Sequence, residues 1–145
     1  RSEQIVDVAS ISLPMLVDYD SQCFPVRREQ FLMEWTKQKN AVSLAFVTGG
    51  QLLGFGVMRP CLMGWKIGPL FADSIEVADA LFQSLQLASN GMPIFLDVPD
   101  NNAPAMALCR KYKMQEVFGC VRMYYGPAPL LDHRRIFGIT TLEVG

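Results

Sequence analysis

Apolar and polar positions change period along this chain, and those changes mark out its elements. Residues 4–11 alternate well enough for a first strand. Residues 13–23 then read as a helix, with Ser12 as N-cap and Pro14 in the first turn, and Phe24-Pro25 breaks it. Residues 28–37 make a second helix with Phe31, Leu32 and Trp35 on one face. Two strands follow at 41–47 and 52–58, joined by the tight turn Thr48-Gly49-Gly50-Gln51. A fourth strand, 65–71, contains Gly68-Pro69, a pair suited to a bulge or a break in the ladder. Residues 73–88 form the clearest helix, whose apolar face includes Val77, Leu81, Phe82 and Leu85.

The remainder is shorter and less regular. Residues 92–98 are a continuous apolar strand of the buried kind. Residues 103–112 make a helix capped by Asn101 or Asn102, with Pro104 in its first turn. Residues 116–125 are strand-like, 126–135 are irregular, and 136–144 supply a last strand. Strands and helices in this order predict one α/β domain over 1–145, built on a mixed sheet with helices on both faces.

Composition narrows the function. Half of the 145 residues are hydrophobic and 19% are charged, so a real core can form without disulfides or metals. A formal net charge of −1 gives no pull towards nucleic acid or anionic lipid. No apolar run approaches the roughly 20 residues that cross a bilayer. Cys23, Cys61, Cys109 and Cys120 show no metal-ligand spacing, so no metal site is expected and reduced thiols in the cytoplasm are. The chain starts without methionine and is expected to be a piece of a longer protein.

Two side chains invite chemistry on residue type alone. Asp97 lies within the largely apolar stretch Phe95-Leu96-Asp97-Val98, where a carboxylate is either functional or paired, with Arg59 or Arg122 as partners. His133, the only histidine, follows Asp132. With no nucleophile motif beside it, that pair reads as a polar connection.

Two local patterns carry a family resemblance. After the 92–98 strand, Asn102-Ala-Pro-Ala105-Met-Ala-Leu108-Cys109-Arg-Lys111-Tyr112-Lys-Met114 resembles the Asn-x-x-Ala-x-x-apolar-Tyr-x-Lys-x-Gly-Phe stretch of the GNAT acetyltransferases. Cys109 stands where that family has Tyr, and Lys113-Met114 where it has Gly-Phe. The segment Trp65-Lys-Ile67-Gly68-Pro69-Leu70-Phe71-Ala-Asp73 is similar to the family's fourth strand, whose backbone lies along the pantetheine arm of acetyl-CoA. The ending, Arg122 to Gly126 and Phe137 to Glu143, is similar to the second module of tandem GNAT proteins.

The resemblance implies a GNAT fold, a mixed and mostly antiparallel sheet, and transfer of acetyl from acetyl-CoA to a primary amine on a small molecule or peptide. It implies that Ile67, Gly68, Pro69, Leu70 and Phe71 line the pantetheine and that Asn102 helps position the cofactor. Asp97 becomes the candidate base or amine ligand. Cys109 or Tyr112 becomes the candidate acid, against readings of both as core packing. A homodimer or a preceding GNAT domain is the implied partner.

One stretch departs from the family. Its phosphate loop carries glycines and a basic or amide residue, whereas Ala72-Asp73-Ser74-Ile75-Glu76-Val77-Ala78 has no glycine, no cation and two carboxylates. The Asp73/Glu76 spacing predicts a capping box that satisfies the helix's own free N–H groups. Lys66, Arg110 or Lys111 could reach phosphates, or remain surface charges. The alternative function is therefore a non-catalytic GNAT-like module that packs on a catalytic domain or binds a small ligand.

Overall fold

A computed structural model describes residues 3–145. The chain forms β1 (Ile5–Asp7), α1 (Leu13–Asp20), α2 (Glu29–Trp35), β2 (Val42–Thr48), β3 (Gln51–Cys61), β4 (Gly64–Ala72), α3 (Ile75–Ala88), β5 (Ile94–Leu96), α4 (Ala103–Lys111) and β6 (Ile136–Gly138). Strands β1 to β4 pair antiparallel in sequence order, β5 joins β4 in parallel, and β6 runs antiparallel to β4.

Local chemistry explains most boundaries. β1 stops at Asp7 because its carboxylate accepts from the Ala9 N–H at 2.8 Å and starts a 3-10 turn. Ser12 caps α1 through the Met15 N–H, and Asn102 caps α4 through the Ala105 N–H. The β2–β3 turn takes positive φ at Gly49 and Gly50, as a two-residue hairpin requires. The β3–β4 ladder shifts register opposite Gly68-Pro69, whose peptide bond is cis.

Alternation along the strands divides the core in two. Met58, Ile67, Leu70 and Phe137 join Leu81, Phe82 and Leu85 of α3 and Leu108 of α4 on one face. Val57, Phe55, Phe71 and Ile136 join Leu16 and Val17 of α1 and Leu32 of α2 on the other. Helices therefore cover both faces, as the element order predicts.

Three expectations differ from the structure. Asp73 does not cap α3. Ser74 does, accepting from the Val77 N–H at 3.3 Å, while the Asp73 carboxylate turns to Tyr19 and Arg135. Residues 116–125 are not a strand; they pair with none of the described strands. The last strand is also shorter than 136–144. Thr141 gathers residues 141–145 into a turn, with its carbonyl accepting from Gly145 N–H and its hydroxyl from Val144 N–H.

β4 and β5 touch only through Trp65–Ile94, Lys66–Phe95 and Ile67–Leu96, and then part. β6 lies in the opening. It pairs with β4 at Leu70–Gly138 and Phe71–Ile136, while Ile139 N–H donates to the Asp97 carbonyl at 2.9 Å.

The fit is close enough to demand glycine. A Cβ on Gly68 would stand 2.1 Å from the Thr140 carbonyl oxygen, a backbone atom, whereas one on Gly138 would meet the movable tip of Leu96 at 2.4 Å. Gly68→Ala is therefore expected to destabilise the domain by about 3 kcal/mol and Gly138→Ala by nearer 1 kcal/mol. Urea denaturation of both variants checks this; equal losses would mean that β6 is not seated against Gly68.

Candidate functional site

The β4–β5 opening is where the sequence places both cofactor and chemistry, so its occupancy decides what the site can do. Ile67, Gly68, Pro69, Leu70 and Phe71 are all buried. Their backbone is already engaged. Leu70 and Phe71 pair with β6, and the Gly68 carbonyl accepts the Trp35 indole N–H at 2.8 Å.

Asn102 belongs to the same closure. It is buried, and besides capping α4 it donates its amide to the carbonyls of His133, Arg134 and Ile136 at 3.2, 3.2 and 2.9 Å. Its side chain thus clamps the backbone leading into β6. A second tie comes from the other face. Arg28 holds Asp20 through two 2.8 Å bonds and reaches the Thr140 hydroxyl at 2.9 Å, with its guanidinium stacked on Phe24.

The proton-handling candidates do not converge. Asp97 pairs with Lys66 at 2.7 Å, rather than with Arg59 or Arg122. Asp97 Oδ2 is buried and has no hydrogen bond beyond this ion pair. Lys66 stands opposite Arg59 in the ladder, and Arg59 lies over the Trp35 ring. This group is on the α1–α2 face.

Tyr112 is on the α3–α4 face. Its ring packs on Phe82 and its hydroxyl donates to Asp79 at 2.6 Å. Burial, reinforced by the Asp79 carboxylate, pushes that hydroxyl up to about 12. The sheet separates it from Asp97. Cys109 sits half-buried on the same helix, and burial raises its thiol above the ordinary range. Neither α4 group shares a face with Asp97.

The start of α3 gains a cation that the sequence order hides. Arg135 reaches Asp73 at 3.2 Å and Asp132 at 3.3 Å, although Asp73 lies far back along the chain. Asp73 also accepts from the Tyr19 hydroxyl at 2.8 Å. Burial, with Asp73 adding to it, raises that phenol far above its usual value. A hollow of about 550 Å³ opens here, lined by Asp18, Tyr19, Gln22, Asp73 and Arg135 among others. Its single cation is spent on carboxylates.

The residues present therefore do not fit a pantetheine arm along β4 or a diphosphate at α3. Displacing β6 would expose Ile136 and Phe137, at about 1.5–3 kcal/mol each. That cost, near 4 kcal/mol, weakens a ligand roughly a thousandfold before any buried polar group is counted. Among the described residues, no group of three His, Cys, Asp or Glu side chains is placed to hold a metal ion, and no helix is long and apolar enough to cross a membrane.

A mixed sheet whose fourth and fifth strands run parallel and then part, with two helices on each face, defines an acyl-CoA N-acyltransferase fold. Residues 16–138 match the acetyltransferase (GNAT) domain family, and the chain belongs to it. Holothin acyltransferase of Pseudoalteromonas sp. (strain SANK 73390) is 22% identical over 142 residues, which is 97% of this chain and 48% of that protein. A Pyrococcus horikoshii protein assigned only as a candidate acetyltransferase superposes with a TM-score of 0.82 at 26% identity, over 100% of this chain and 47% of its own. An aminoglycoside 6'-N-acetyltransferase from Acinetobacter haemolyticus shares the fold at a TM-score of 0.65 and 14% identity, over 86% of this chain and 99% of its own. The chain thus spans about half the length of the first two.

The Asp79 cluster gives a pH test. Burial opposes ionisation of Asp79, but bonds from Lys111 and Tyr112 outweigh it and hold the carboxyl below its usual range. A lowered acid contributes stability above its unfolded pKa of about 4 and loses it as pH falls through the folded value. The raised Tyr112 hydroxyl contributes below about 10 and loses that between about 10 and 12. Urea denaturation should show Asp79→Asn less stable than the parent at pH 7, with the gap closing below about pH 4. A gap unchanged at low pH would contradict the assignment.

Proposed function

We propose that this chain is one module of a longer N-acetyltransferase that moves an acetyl group from acetyl-CoA to a primary amine. The observation that carries the reading is that residues 16–138 belong to the acetyltransferase (GNAT) domain family. The acyltransferase named for holothin supports a small-molecule amine as acceptor.

Asp97 is the residue we assign to the acceptor. It stands where the two strands part, and its side chain is about 20% exposed. Lys66 pairs with the carboxylate at 2.7 Å. We assign Cys109 and Tyr112 to the α3–α4 packing instead. With β6 seated, no donor site lies along β4, and no step is placed there.

The second reading is a non-catalytic companion module. Because β6 fills the opening, this half would be a companion module that shapes the protein without turning over substrate itself. The two readings part at Asp97. In the protein that carries this chain, Asp97→Asn should lower kcat/KM for an amine by about a hundredfold, the scale of a lost acid–base group. Cys109→Ala and Tyr112→Phe should leave it within a few-fold. Thiol release from acetyl-CoA across a panel of amines measures all three. No release with any amine would overturn the acetyltransferase reading, and full activity of Asp97→Asn would leave the companion module.

A further inference from the structure

Residues 115–130 make no backbone–backbone hydrogen bond with any described residue. They are not polar loop material. Arg122 is the only charge between Val117 and Leu131, and the run includes Val117, Phe118, Val121, Met123, Tyr124 and Tyr125. β-branched and aromatic side chains of this kind favour a pleated strand, yet here both strand edges are open.

Arg122 and Tyr124 line a cavity of about 220 Å³ with Phe24, Ile139 and Leu142 but stay exposed, Tyr124 at 44%. Their neighbours turn away: Val121 is 83% exposed, Met123 85% and Tyr125 fully. Towards the start of the run, Val117 at 76% and Phe118 at 71% leave both faces bare. Strands that end a sheet in water are normally blunted by charge, proline or a bulge. None interrupts residues 117–121.

The same geometry answers why the alternating pattern at 116–125 yields no strand here. Its natural neighbour, the 136–139 segment, is already committed between β4 and the Asp97 carbonyl. Among the described residues, no strand pairs with 116–125. Both relatives that match it nearly end to end carry about as much chain again.

We infer that residues 116–125 form an interface strand, which adds to an open sheet edge on the other half of a protein about twice this length and buries Val117, Val121, Met123 and Tyr125 against it. The partner surface is accordingly an unpaired β-edge flanked by apolar side chains. Main-chain bonds supply the pairing and the outward side chains set its register. A covalent tether holds the two surfaces at millimolar effective concentration, so the contact can form with a modest area. The inference rests on the reading of this chain as one module of a longer protein, and not on which module turns over substrate.

Amide hydrogen exchange on the two-module protein and on the 145-residue chain tests it. In the two-module protein, amides of 116–125 should exchange about a hundredfold more slowly than in the separate chain, where they should exchange as open coil. Val121→Lys with Met123→Lys should remove most of that protection and leave α3 protected as before. Three results would overturn the inference. These are protection in the separate monomeric chain, which would mean pairing within the chain; protection there only where it dimerises, which would mean a second copy; and no protection in either protein. A two-module protein that is inactive yet protected at 116–125 would defeat the proposed activity and leave this interface standing.

Discussion

A strand edge has one row of N–H and C=O groups, and whatever pairs with it excludes everything else. β4 divides its outer edge between two neighbours. The first half goes to β5 and the second to β6, with Gly68-Pro69 at the change of hands. Every other feature of the candidate site follows from that division: where Asp97 ends up, what Asn102 holds, and why the groove implied by the family resemblance is filled by the chain's own backbone.

Two buried polar ties keep the division in place from opposite faces. Asn102 uses its amide on three carbonyls leading into β6, and Arg28 carries the Asp20 charge to the Thr140 hydroxyl. Asn102 is engaged on both sides of its amide, whereas Arg28 leaves its buried Nη1 without a hydrogen bond. A buried ion pair such as Arg28–Asp20 is weak as a source of stability, but removing one partner costs about 3–5 kcal/mol. Such a pair therefore fixes geometry more than it adds stability. Ile136 and Phe137 anchor β6 in the two halves of the core, so the strand joins layers that the sheet otherwise divides.

Local rules were legible wherever one segment settled its own conformation. Ser12 and Asn102 cap the helices that they precede, Gly49-Gly50 make the hairpin turn, and the apolar period of α3 runs nearly as read. The GNAT fold followed from element order and two short motifs. Competition between neighbours was not legible. Asp73 and Ser74 are adjacent acceptors, and the choice of Ser74 as cap depends on Tyr19 and Arg135, which arrive from distant parts of the chain. Asp97 found Lys66 across a strand pair that the sequence does not specify in register. Asn102 stood in a family motif and was assigned to the cofactor; its three-carbonyl clamp depends on β6, whose place no local pattern states. For Arg28, the hint was Asp20, a carboxylate at the end of a largely apolar helix, in need of a partner.

β6 occupies the β4–β5 opening and holds its place there. Nuclear Overhauser contacts from Gly138 to Leu70 and Leu96, followed in solution while acetyl-CoA is raised to millimolar concentration, test it most directly. These contacts should persist throughout, and β4 resonances should not move. Their disappearance, with shifts confined to Ile67–Phe71, would show β6 giving way to the cofactor and would contradict that placement.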